Sequence, residues 1–163
     1  KGFNARKKTG NKWFETQDQI NYSDDFNKQK IIYPETTQGA YFIVDNNKYV
    51  ADKTCFILTG NNLHYLVAIL SSTLYEYSYK KIFSSVELGT TGYQYNKHAL
   101  VKLPVILPKR IDKTYVDEIE KLTSDILNNN FNESTYKKID RLVFDLYNIS
   151  DDEKEYLYQN SSN

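Results

Sequence analysis

Ten side chains in the first two thirds of the sequence are of types that contact phosphates and base edges: Lys30, Tyr33, Lys48, Tyr49, Lys53, Tyr93, Gln94, Tyr95, Asn96 and Lys97. A lysine ammonium meets a phosphate oxygen as a point charge, whereas a Gln or Asn amide offers a donor and an acceptor to one adenine edge. Tyrosine adds one hydrogen bond or an apolar face. This is the chemistry of binding, and the groups that bond-making needs are missing. No Pro-Pro occurs in the chain, so it lacks the Asn/Asp-Pro-Pro-Tyr/Phe loop with which adenine amino-methylating enzymes hold a flipped base. Gly89 and Gly92 fall in a polar loop rather than in the strand-turn-helix setting of a nucleotide cofactor. Asp152-Glu153-Lys154 has the acidic-x-Lys spacing of a magnesium nuclease, but it sits at a helix start with no acidic strand upstream. His64, His98 and the single Cys55 make no zinc set, and neither Cys55 nor Ser71-Ser72 has a nearby base to activate it. The expectation is a binding surface with no catalytic residue and no metal site.

The elements that must carry those side chains follow from hydrophobic period and turn residues. Residues 1–27 are polar, anchored only by Trp13-Phe14. Residues 29–33, 40–45, 48–51 and 54–58 read as strands of a β-meander, with a hairpin turn at Asp45-Asn46-Asn47. Thr59-Gly60-Asn61-Asn62 breaks that pattern and offers Asn side chains as caps. Leu63, Leu66, Val67, Ile69, Leu70, Leu74 and Tyr77 then recur at spacings of three and four, which predicts one helix over 63–82. Residues 84–97 read as an exposed loop, and 100–108 as an edge strand interrupted by Pro104. Beyond Pro108 two apolar stripes, Tyr115/Val116/Ile119/Leu122/Ile126/Leu127 and Ile139/Leu142/Val143/Leu146/Tyr147, predict two antiparallel helices. Ser150-Asp151-Asp152-Glu153 has capping-box spacing and predicts a third helix through Tyr158. The fold class is therefore α+β, with a mainly antiparallel sheet, a packed helix and a C-terminal helical hairpin. The expected division is a recognition domain over 1–108 and a helical spacer or docking tail over 109–163.

Charge divides the chain in the same place. Residues 1–110 hold 15 Lys/Arg against 9 Asp/Glu, a balance of +6, and residues 111–163 hold 6 against 12, a balance of −6. A basic first part suits a polyanion, while an acidic helical part would be repelled by phosphate and suits packing on protein. The lone Cys55 excludes an internal disulfide and suits a reducing cytoplasm. No apolar run reaches the roughly 18 residues of a membrane span. A chain of 163 residues without Met, opening on Lys1-Gly2-Phe3-Asn4, reads as a piece of a longer protein.

The order of motifs resembles the TaqI-like C-terminal specificity domain of type IIG restriction-modification enzymes and related adenine-specific DNA methyltransferases. The residues that carry the resemblance are Trp13-Phe14-Glu15, Lys30-Ile31-Ile32, the run from Leu63-His64-Tyr65 to Leu70-Ser71-Ser72, Leu103-Pro104-Val105, and the ending Ile139-Asp140-Arg141 to Asn148-Ile149-Ser150. The family usually has Leu-Asn-Ser where this chain has Leu70-Ser71-Ser72, and often an Arg in the loop where this chain has Gln94 and Tyr95. The resemblance implies that the chain grips double-stranded DNA and reads a target, and the residue types place that contact on strand-edge lysines and the loop 84–97. It also implies that a separate N-terminal methyltransferase/endonuclease region holds S-adenosylmethionine and Mg. Two other readings stay open: half of a type I specificity subunit, with the helices as spacer, and an interaction module that never meets nucleic acid.

Overall fold

The computed structural model describes residues 23–83, 92–129 and 131–161; Trp13-Phe14 and most of the expected loop 84–97 lie outside these. After a 3-10 turn at Ser23–Asn27, β1 (Lys30–Pro34), β2 (Thr36–Thr37), β3 (Ile43–Asp45) and β4 (Cys55–Thr59) precede α1 (Leu63–Leu70) and α2 (Thr73–Phe83). Then follow β5 (Tyr93–Gln94), the single turn α3 (Lys97–Leu100), and the helices α4 (Lys113–Asn129), α5 (Glu133–Leu146) and α6 (Asp151–Asn160). The class is α+β, with antiparallel pairing throughout the described strands.

The sheet is not a meander. β1 is its central strand, with β3 and β4 antiparallel on either side, and the register places Lys30 opposite both Asp45 and Thr59, and Ile31 opposite Val44 and Leu58. Both edges of β1 are thereby occupied, and residues 48–51 form no strand. Asp45 is the reason: its carboxylate accepts the N–H groups of Asn47 (2.7 Å) and Tyr49 (2.9 Å), and Lys48 between them turns at φ 61. Such a side-chain-to-backbone cap competes with strand extension. A second pair, β2 with β5, ties Thr36-Thr37 to Gln94-Tyr93.

The helix expected over 63–82 is two helices. Ser72 ends the first and starts the second: its hydroxyl donates to the Ile69 carbonyl (2.7 Å) and accepts from Tyr75 N–H (3.3 Å). Asp140, from α5, completes the break by accepting Thr73 N–H (2.9 Å) and the Thr73 hydroxyl (2.5 Å). The start of α1 also differs from expectation, because Asn62 makes no cap and its Nδ2 instead donates to Glu120 of α4 at 3.0 Å.

No strand forms over 100–108 either. Leu100 closes α3, and the extended stretch after it gives its backbone to tyrosines. The Pro104 carbonyl accepts from Tyr75 and, at 2.9 Å, from Tyr147, and the Ile106 carbonyl accepts from Tyr65 at 2.8 Å. Side-chain hydroxyls thus satisfy polar groups that a ladder would otherwise pair.

The C-terminal helices form as expected. Asn132 caps α5 through Ser134 N–H and Thr135 N–H, and Ser150 with Glu153 makes the capping box of α6. Their stripes bury against more than each other. α4 and α5 both pack on α1, and Val116, Ile119, Ile139 and Val143 join one buried cluster with Ile31, Tyr65, Val67 and Ile69.

Candidate nucleic-acid interface

Of the ten residues expected to contact phosphates and base edges, Tyr49 is exposed and the other nine separate by burial. Lys30 is 0% exposed, and Tyr33, Tyr93 and Tyr95 are each 2% exposed. These four belong to the interior, which corrects their assignment as contact residues. Lys48, Lys53, Asn96 and Lys97 are exposed and Gln94 is half-buried.

Each correction has a physical cause. Tyr33, Phe42, Tyr79, Tyr93 and Tyr95 form an aromatic cluster, with ring centroids 5.2 Å apart for Tyr33/Phe42, 5.0 Å for Phe42/Tyr95, 4.8 Å for Tyr79/Tyr95 and 5.3 Å for Tyr93/Tyr95. Rings at these separations, tilted or edge-to-face, bury large apolar areas while the hydroxyls of Tyr79, Tyr93 and Tyr95 find partners. Burial pushes the Tyr33 hydroxyl up to about 12 and raises Tyr79, Tyr93 and Tyr95 as well, so all four stay neutral donors at neutral pH. The Tyr93-x-Tyr95 alternation was the signal in the sequence: residues two apart in a strand share a face.

Lys30 is buried by its partner. Its ammonium sits on the Asp45 carboxylate and donates to the Phe26 carbonyl at 2.9 Å. Burial alone would raise the Asp45 carboxyl, but Lys30 and the N–H groups of Asn47 and Tyr49 outweigh it and hold the carboxyl below the ordinary carboxylate range. The ion pair therefore fixes the root of the loop that carries Lys48 and Lys53.

The aromatic cluster performs the same service for the segment 94–97. The Tyr79 hydroxyl donates to the Gln94 carbonyl (2.9 Å) and accepts from Asn96 N–H (2.7 Å). Tyr95 N–H reaches the Glu35 carbonyl at 2.8 Å. Asn96 spends its side-chain oxygen on His98 N–H (2.8 Å) to cap α3. Gln94 and Lys97 keep their side-chain polar groups free of protein partners among the described residues.

A groove of about 610 Å³ runs beside the outer edge of the sheet, lined by Lys53, Cys55, Ile57 and Thr59 from the β4 side and by Lys97 and Leu100 from α3. Asp25 and Asp52 also border it. Asp25 is taken up by Lys28 at 2.6 Å, and Asp52 accepts Lys53 N–H at 2.6 Å. Lys48, Lys53 and Lys97 make no ion pair among the described residues, in contrast to Lys137, Lys138 and Lys154 of the C-terminal helices, whose nearest carboxylates lie at 2.7–3.0 Å. No cluster of His, Cys, Asp and Glu among the described residues could hold a metal ion. No described helix is long and apolar enough to cross a membrane.

The groove thus lies on an antiparallel sheet backed by helices, and its Lys53 and Lys97 have no ion-pair partner among the described residues. The family model of the TaqI-like C-terminal specificity domain matches residues 2–105, and the chain belongs to that family. No match is found among curated proteins.

Proposed function

We propose that this chain is the target-recognition module of an adenine-methylating restriction-modification protein, binding double-stranded DNA and leaving the chemistry to another region. The observation that carries this reading is the pair of exposed ammonium groups of Lys53 and Lys97, neither with an ion-pair partner among the described residues, on one groove of a specificity-domain fold, with Lys48 exposed on the same β3–β4 connection as Lys53. An ammonium without a carboxylate partner is free to replace a counterion on phosphate. Lys48, Lys53 and Lys97 supply affinity in this reading, and Gln94 supplies base contacts, with Asn96 holding the turn between them. Lys30, Tyr33, Tyr93 and Tyr95 act from beneath by fixing the backbone that presents these groups. S-adenosylmethionine and Mg belong to the methyltransferase/endonuclease region of the parent protein, in the cytoplasm, and no residue of this chain is assigned to them.

Competition binding of the parent protein to its methylation site and to single-base variants, at two salt concentrations, tests the reading. Lys53→Ala or Lys97→Ala should weaken every duplex alike and lower the salt slope by about one per lost phosphate contact. Gln94→Ala should cost about 1–3 kcal/mol on the cognate duplex alone. An unchanged salt slope in both lysine variants removes the groove from the interface.

A further inference from the structure

The connection between β3 and β4, residues 46–54, has to cross the sheet. Both strands are antiparallel to β1 and lie on opposite sides of it, so they run parallel to each other and no tight hairpin can join them. The crossover departs beside the buried Lys30–Asp45 pair, because Asp45 accepts the N–H groups of Asn47 and Tyr49. Lys48 is held at φ 61, a region that a residue with a side chain keeps only where its surroundings fix it. On this anchored turn Tyr49 and Val50 are 62% and 75% exposed. Lys48 precedes them and Lys53 follows, neither with an ion-pair partner among the described residues. A single exposed apolar side chain needs no explanation, but an aromatic and an aliphatic one side by side on a rigid turn between two free ammonium groups form a surface of defined chemistry.

We propose that residues 47–50 are a DNA wedge: Tyr49 and Val50 enter one base step of the bound duplex and unstack it, while Lys48 and Lys53 hold phosphates on either side. The proposal rests on the DNA-recognition reading above. Asp52, the one carboxylate in the connection, is turned onto the Lys53 N–H, so the two ammonium groups favour a polyanion, and among polyanions stacked bases offer an apolar slot that a phenol ring can fill. Insertion works against stacking, so it requires a root that does not yield, which the buried ion pair and its two N–H bonds provide. Pyrimidine–purine steps unstack most readily. The wedge therefore adds sequence preference at a step where no side chain reads a base edge.

The test uses the parent protein, duplexes it enriches from a randomised pool, and permanganate, which oxidises unstacked thymines. The wild-type footprint should contain a hyperreactive thymine that disappears in Tyr49→Ala, with affinity lower by about tenfold, the scale of one aromatic–base stack. Tyr49→Phe should keep it, and Lys53→Ala should keep it while lowering the salt slope by about one. Circular dichroism of Tyr49→Ala should match the wild type, since the ring is exposed. Identical wild-type and Tyr49→Ala footprints on bound DNA overturn the wedge and leave the recognition reading standing. If the wild-type protein enriches no duplex, both fall. If Tyr49→Ala instead weakens assembly with the rest of the parent while the footprint is unchanged, the patch is a protein contact and the wedge is overturned.

Discussion

Replacing Lys30 by Met would keep most of the buried volume and remove the charge, which isolates the ion pair beneath the 46–54 loop. The side chains of Lys30 and Asp45 are 0% and 1% exposed, so the ammonium cannot be replaced by bulk water. Removing one partner of a buried pair costs about 3–5 kcal/mol, most of it the penalty of the charge left behind. Asp45 would keep the Asn47 and Tyr49 N–H donors, which places the loss near the lower figure, about 3 kcal/mol. With a urea m-value of about 2 kcal/mol/M, the denaturation midpoint should fall by about 1.5 M at neutral pH.

The pH dependence supplies an independent check on that variant. In the wild type the Asp45 carboxyl is held below its ordinary value by Lys30 and the two N–H groups against the effect of burial. Its contribution to stability is present above the ordinary carboxylate pKa and is lost as pH falls through the depressed folded value. In Lys30→Met burial is no longer outweighed by the ammonium, so acid protonates a carboxylate that gains by becoming neutral. The stability gap between the two proteins should narrow below about pH 4. Urea titrations followed by far-ultraviolet circular dichroism at neutral and acid pH measure both effects. A midpoint shift under about 0.5 M, or a gap that does not narrow in acid, refutes the argument.

Burial raises the Asp140 carboxyl despite the two bonds from Thr73. Its contribution is therefore complete below the ordinary carboxylate value and fades as pH rises through the raised folded one. Asp140→Asn, which has no charge to desolvate, should gain on the wild type as thermal melts move from acid to neutral pH; a relative loss over that range would mean that the Thr73 donors outweigh burial. Tyr79→Phe removes both bonds that the hydroxyl makes to the 94–96 backbone, for about 1–3 kcal/mol. It should also reduce discrimination between cognate and single-base-variant duplexes in competition binding, and unchanged discrimination would detach the aromatic cluster from recognition. Ile119→Ala should cost about 2–5 kcal/mol, and because Ile119 shares one cluster with Ile31 and Tyr65, calorimetry should still show a single transition. A separate transition for the C-terminal helices would mean that they fold apart from the sheet.

What the sequence determined by itself was whatever depends on neighbours along the chain. Ile31-Ile32-Tyr33 before Pro34 favours a strand by residue type, the stripes of α4 and α5 follow from residues three and four apart, and Ser150 caps α6 through Glu153 three positions on. The family was legible for a related reason, since the order of such local signals survives without any knowledge of contacts. Tertiary structure decided the rest. Whether Lys30 is a phosphate contact or half of a buried pair depends on Asp45, fifteen residues away, and the break after Leu70 depends on a carboxylate sixty-seven residues from Thr73. Tyr93 and Tyr95 looked like a reading head because a phenol suits both a base edge and a core; the rings of Tyr33, Phe42 and Tyr79 assign them to the core. An amphipathic or ionisable side chain carries no intrinsic preference strong enough to fix its side of the surface. The partner that the fold brings to it, or, among the described residues, withholds from it as at Lys48, Lys53 and Lys97, sets the cost of burial and so the side on which it falls.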